Sequence, residues 1–256
     1  MTLPHQWHGE GETLVLLAGL GAKGTSWRPF LERAARHYRV LTFDLPGAGC
    51  APALAGPTSI RQLASAALEL LDELGVERAR LVGRSMGGMV AQELALAAPE
   101  RIRRLGLVCT TGRCDAHLSS VFELWARMAE AGVPAGLRQQ SSLLWCLGHE
   151  ALACQEQARA YLEARSSNDR PADYALQARA CAAHDALDRL AALRTPTLVL
   201  AGGDDRLTPP HHAEALVKAI PGAELAHVSG SGHLAYLEQP ERFADEVLGF
   251  LAEEAA

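Results

Sequence analysis

Short apolar runs recur along this chain at 13–18 (TLVLLA), 39–44 (RVLTFD), 79–84 (ARLVGR), 104–109 (RLGLVC), 197–201 (TLVLA) and 224–228 (ELAHV). They are apolar for most of their length rather than at alternate positions. Successive side chains of a strand face opposite sides of a sheet, so such runs suit strands covered on both faces. The stretches between them have helical spacing. In 58–75 (TSIRQLASAALELLDELG), Ile60, Leu63, Ala67, Leu70, Leu71 and Leu74 form one stripe, Thr58 or Ser59 can cap the start, and Gly75 can end it. Strand and helix in alternation predict an α/β fold with a mostly parallel central sheet and helices on both faces.

The alternation stops between about 112 and 190. That stretch is rich in Ala, Leu, Arg and Gln; 119–132 and 152–166 read as amphipathic helices, and no strand is evident. Strands resume at TPTLVLAGG. A helical block set between two strands of one sheet reads as a lid, giving a core of 1–111 and 191–256 and a helical cap of 112–190. A separate helical domain with its own core is the competing reading.

The chain of 256 residues carries a net charge of −6, which leaves no basic footprint for nucleic acid. No apolar run is long enough to cross a bilayer, and the N-terminal MTLPHQWHGEGE lacks the pattern of a secretory signal. A cytoplasmic protein is expected, a monomer or weak homodimer. The six cysteines fall at irregular spacings without a Cys-x-x-Cys pair, so they read as free, mostly packed thiols. His211 and His212, adjacent at a helix start, read as surface or capping residues pointing in different directions, and no metal site is expected.

The stretch Gly83-Arg84-Ser85-Met86-Gly87-Gly88 lies where a strand ends and a helix begins. A serine there sits on a sharp turn that lifts its hydroxyl above the sheet, and the flanking glycines remove side chains that would clash. A serine nucleophile needs a base, and the base an orienting acid, in the chain order serine, acid, histidine. Past the next strand come Asp204 and Asp205 (AGGDDRLTPP); past the last comes His233 (SGSGHLAYLEQPERF). Each lies just beyond a strand end, where the loops of an open α/β sheet converge.

With these motifs in place the chain resembles the α/β-hydrolase superfamily over nearly all its length. The segments GRSMGGMVAQELALAAPERIRRLGLVCTT and TPTLVLAGGDDRLTPP to GHLAYLEQPERF resemble its enol-lactonase and small-ester hydrolase branch. The resemblance implies an α/β-hydrolase fold with an inserted helical lid. The pattern Gly-x-x-Asp-x-x-x-Pro aligns on Gly202, Asp205 and Pro209, making Asp205 rather than Asp204 the acid; Gly-His followed by Glu-x-Pro aligns on Gly232, His233, Glu238 and Pro240. The oxyanion loop aligns on Ala18-Gly19-Leu20-Gly21, so the N–H groups of Leu20 and Met86 would form the oxyanion hole. Ala18 stands where the family usually has a bracing histidine, and Cys50-Ala51 replaces its usual small polar residue in FDLPGAGCAP.

Ser85, Asp205 and His233 are thus the expected catalytic triad of a hydrolase that cleaves a small carboxylic ester or lactone without metal or organic cofactor. Asp115 is an alternative acid. Arg84 could bind a substrate carboxylate, although pairing with Asp204 or another acid beneath the turn is the favoured reading. Trp27, Trp125 and Trp145 are candidate substrate contacts. Carbon–carbon bond hydrolysis of a β-diketone or ring-cleavage product, cofactor-free perhydrolase or haloperoxidase chemistry, and ligand binding on an inactive scaffold are the alternatives.

Overall fold

The computed structural model describes residues 2–154, 156, 158, 159, 162 and 170–253. All six apolar runs form strands: β2 (Thr13–Leu17), β3 (Arg39–Phe43), β4 (Ala79–Arg84), β5 (Ile102–Val108), β6 (Thr197–Gly202) and β7 (Glu224–Val228). A further strand, β1 (His5–His8), pairs antiparallel with β3; every other pairing is parallel. The sheet order is β1-β3-β2-β4-β5-β6-β7. Chain order therefore reverses between β2 and β4, and in open α/β sheets ligands bind outside the carboxyl ends of the strands at such a switch point.

Leu14 to Leu17 of β2 and every residue of β6 are buried, so both faces of the central sheet are covered. Helix α1 (Arg28–Ala34) packs on α10 (Pro240–Ala252), and α2 (Ile60–Glu73) packs on α3 (Met86–Ala97). The Ser59 hydroxyl caps α2 by accepting from the Gln62 N–H at 3.2 Å, and Gly75 takes φ 66° just past its end. The predicted stripe of α2 is buried, except that Leu74 is only half-buried. β7 departs from the expectation of a doubly covered strand: it is the sheet's edge, and Glu224, Leu225 and His227 are exposed.

Between β5 and β6 lie α4 (Ala116–Glu130), α5 (Ala135–Cys146), α6 (His149–Ala153) and α7 (Pro171–Ala182). α4 packs along α7. The helix expected over 152–166 falls for the most part outside the described residues. After the resumption of the sheet come α8 (Pro210–Ala219) and the short α9 (Ala235–Glu238). Among the described residues no helix is long and apolar enough to cross a membrane.

Candidate active site

Ser85 separates β4 from α3 with φ 54° and ψ −125°, a conformation that costs a non-glycine residue roughly 1–3 kcal/mol. Three glycines and their neighbours hold it there. A Cβ on Gly83 would stand 2.2 Å from Gly87 O, one on Gly87 2.2 Å from Leu17 O, and one on Gly88 2.7 Å from Thr110. The Thr110 hydroxyl donates to Ser85 O at 2.7 Å, and the Ser85 N–H donates to Val108 O at 2.9 Å. The strained turn is thus clamped to the ends of β2 and β5.

The loop after β2 lies against the serine. A Cβ on Gly19 would approach Ser85 Cβ to 3.2 Å, so backbone packs directly on the turn. Leu20 follows in a turn closed by the Ala22 N–H on Gly19 O at 3.0 Å. Met86 is the first residue of α3, where N–H groups have no intrahelical acceptor and the helix dipole favours negative charge. Position 18, where the family usually has a bracing histidine, is alanine. Instead Gln177 of α7, fully buried, accepts from the Gly21 N–H at 3.0 Å and donates to Pro46 O at 2.7 Å. Gln177 carried no signal in the sequence, because its partners lie more than 130 positions away.

Asp205, of the two adjacent aspartates, is the buried one. Its Oδ1 accepts from the Leu207 and Thr208 N–H groups at 2.8 and 2.9 Å; its Oδ2 accepts from the Thr208 hydroxyl at 2.7 Å and faces His233 Nδ1 at 2.8 Å. A carboxylate ringed by donors is itself only an acceptor, so His233 Nδ1 carries the proton. That leaves His233 Nε2 as a lone pair, buried and without a hydrogen-bond partner among the described residues. Asp204 is exposed, its N–H donating to Ser231 O at 2.8 Å.

The histidine loop is as crowded as the serine turn. A Cβ on Gly202 would meet Gly232 O at 2.0 Å, and one on Gly232 would meet Gly148 N at 2.4 Å. The His233 N–H donates to Cys146 O at 2.8 Å. Glu238 Oε2 accepts from both Gly148 and Gly232 N–H, at 2.9 and 3.0 Å, so its motif position has a physical role: it ties this loop to the α5–α6 junction. Burial pushes the Glu238 carboxyl up from its ordinary range. Cys109, just past β5, brings its sulfur within 4.8 Å of ligand atoms of Asp205 and His233. Burial pushes that thiol far up, and the four hydrogen bonds already made to Asp205 leave no oxygen for a metal.

The pairing expected for Arg84 is corrected. Arg84 has no carboxylate partner among the described residues: it donates to Ser26 Oγ at 2.8 Å and lies 4.7 Å over the Tyr236 ring and 5.5 Å over Trp27. Its charge is held by aromatic faces, not by Asp204. Trp27 is fully buried among Phe30, Tyr236 and Phe243 in the core. Trp125 is buried on α4 against Phe122, and Trp145 is half-buried on α5 beside His117. The acid at His233 is Asp205, whereas Asp115 Oδ1 caps α4, accepting from the Leu118 N–H at 2.7 Å. His211 and His212 do not diverge: their ring centroids are 4.2 Å apart.

A serine on a strained strand–helix turn at the switch point of the sheet, with an acid–histidine pair on the loops after later strands, is the plan of a hydrolase. The chain belongs to the α/β-hydrolase family, whose α/β hydrolase fold matches residues 12–240, and it is a hydrolase. It is similar, at 34% identity over 98% of this chain and 95% of the relative, to "Putative carbamate hydrolase RutD" of Azorhizobium caulinodans. Among solved structures it resembles the enol-lactonase of Burkholderia xenovorans (TM-score 0.91, 27% identity, covering 98% of this chain and 96% of that one). It also resembles a thermophilic esterase of Thermogutta terrifontis (TM-score 0.88, 28% identity, 97% and 92% covered).

Proposed function

We propose that this chain is a serine hydrolase that cleaves a small carboxylic ester or lactone through an acyl-enzyme on Ser85. The observation that carries the reading is the buried Asp205–His233 pair, whose protonated Nδ1 leaves Nε2 an open base. In this mechanism His233 Nε2 takes the Ser85 proton as Oγ attacks the substrate carbonyl. Asp205 holds the imidazole and stabilises its charged form. The Leu20 and Met86 N–H groups receive the negative oxygen; one such donor is worth about 10²–10³ in rate. His233 then protonates the leaving oxygen, and water, deprotonated by the same nitrogen, releases the acid. No metal or organic cofactor takes part in these steps.

In this reading the helices between β5 and β6 form the cap of the site. Support comes from Gln177 on α7 and from Cys146 and Gly148 at the α5–α6 junction, which already touch the loops bearing Leu20 and His233. Trp125 and Trp145, on α4 and α5, are the large apolar side chains available to shape an acyl pocket. Six free cysteines fit a reducing compartment such as the cytoplasm.

A carbamate is the second reading. It presents the same carbonyl to the same nucleophile, and the relatives named as carbamate hydrolases match at 30–34% identity over nearly the whole chain.

The test is reaction of the purified protein with a fluorophosphonate probe, followed by kcat/KM on matched short-chain esters, lactones and carbamates. Label on Ser85, abolished in Ser85→Ala and in His233→Ala, is the expected result. An unlabelled wild type that hydrolyses none of the panel refutes acyl transfer. Carbamates turning over faster than esters would favour the second reading.

A further inference from the structure

A second constellation of chemistry-bearing side chains lies where the helical block meets the core. Asp115 precedes α4 and spends Oδ1 on capping it, while Oδ2 is hydrogen-bonded to His211 Nε2 at 3.4 Å. His211 and His212 open α8, and successive residues of a helix normally point about 100° apart. Here their ring centroids lie 4.2 Å apart at an interplanar angle of 34°, and both Nε2 atoms stand 3.4 Å from Asp115 Oδ2.

The hydrogen bonds around His212 fix its tautomer. His212 is only 4% exposed, and its Nδ1 lies 2.9 Å from Thr111 Oγ1. That hydroxyl donates its own hydrogen to Arg113 O at 2.6 Å, so it can only accept from the imidazole, and Nδ1 carries the proton. Nε2 is therefore a bare lone pair, buried and without a hydrogen-bond partner among the described residues. It faces a carboxylate oxygen, acceptor against acceptor. A proton on Nε2 would give an ion pair with Asp115 at 3.4 Å but no hydrogen bond. A metal ion between the two would engage both acceptors directly.

The spacing also suits a metal. A tetrahedral ion with bonds of about 2.0–2.2 Å to nitrogen and oxygen keeps its ligand atoms roughly 3.3–3.5 Å apart. Two imidazoles and one carboxylate select a transition metal over Mg²⁺ or Ca²⁺. Thr111 is the outer partner that orients a ligating histidine. Asp115 and His211 are exposed enough to admit the ion and a completing water.

We propose that Asp115, His211 and His212 bind one divalent transition-metal ion of the Zn²⁺ type. Asp115 caps the first helix of the block, and the histidines begin the helix that follows the Asp205–Thr208 loop. The ion would pin α4 to α8 beside the candidate acid. This site stands apart from the acyl-transfer reading and does not depend on it.

The test uses untagged full-length protein, stripped with chelator, titrated with Co²⁺ and then with competing Zn²⁺. One equivalent is expected to bind with the intense visible bands of four-coordinate Co²⁺, without thiolate charge transfer. Zn²⁺ should also raise Tm. His211→Ala, at an exposed position, and Asp115→Asn, which keeps the Oδ1 cap, should each weaken binding by more than a hundredfold. Thr111→Val should weaken it by roughly 10–100-fold, the usual loss for an outer partner. No bound metal, or an equivalent unaffected by His211→Ala and Asp115→Asn, overturns the proposal. So does thiolate charge transfer that disappears in Cys109→Ser, which would place the ion in the Cys109–Asp205–His233 group.

Discussion

His184 allows a stability prediction with its magnitude worked through. It follows α7, is 5% exposed, and sits against α3, with Nε2 3.5 Å from Gln92 Oε1 and Nδ1 3.9 Å from Glu93 Oε1. Burial disfavours the imidazolium; the Glu93 carboxylate opposes it, but Arg189 is already paired with Glu93. Burial wins, and the imidazole is pushed down to about 4. The unfolded chain would take up a proton near the ordinary histidine value of about 6.5. Between those values the unfolded state binds more protons, so stability rises with pH and falls as the solution is acidified. The full loss is about 3 kcal/mol, of which about 2 kcal/mol is lost by about pH 5. His184→Gln removes the titration, and its own packing cost is independent of pH in this window. Urea unfolding of both proteins from about pH 7.5 to about pH 4.5 should give curves that converge as the wild type loses its advantage. Curves that stay parallel refute the burial argument. Curves that diverge would mean that Glu93 outweighs burial and that the histidine charges in the folded state.

Gly87→Ala should lower kcat at least about a hundredfold in an ester assay, because its Cβ meets Leu17 O and Ala18 O and must drive the oxyanion loop from α3; wild-type turnover would refute that packing. Thr208→Val strips one donor from the buried Asp205 carboxylate, a bond to a charged group worth about 1.5–3 kcal/mol. A loss of roughly tenfold or more in kcat, with KM unchanged and Thr208→Ser restoring activity, is expected. Equal loss in Thr208→Ser would mean that the methyl group, not the hydroxyl, matters.

What could be read from the chain was what short-range sterics control. Five of the strands of the sheet follow from apolar runs because a buried strand must be apolar on both faces, whereas the run at β7 forms an edge strand that is largely exposed. β1 left no such trace: HQWH is an edge strand, half-exposed and paired on one side only. The serine turn was legible because Gly83 and Gly87 stand within two residues of Ser85 and the space they leave is filled by nearby backbone. The acid was legible through chain order and the family's pattern, yet the hydroxyl that seats it, Thr208, is an ordinary residue in sequence.

Charge partners were the part that escaped, for a definite reason. Arg84 suggested a carboxylate, since a buried guanidinium costs a great deal unless its charge is met. The fold meets it instead with Tyr236 and Trp27, faces 152 positions downstream and 57 upstream, and with the Ser26 hydroxyl. The same blindness separated His211 from His212. Helical geometry says neighbouring side chains diverge, and only the approach of Asp115, at the start of α4, to the first turn of α8 brings both rings near one oxygen. Local rules thus locate a reactive group where the backbone itself is constrained. They fail where a flexible side chain selects its partner from distant elements, within the core for Arg84 and between the helical block and the core for Asp115.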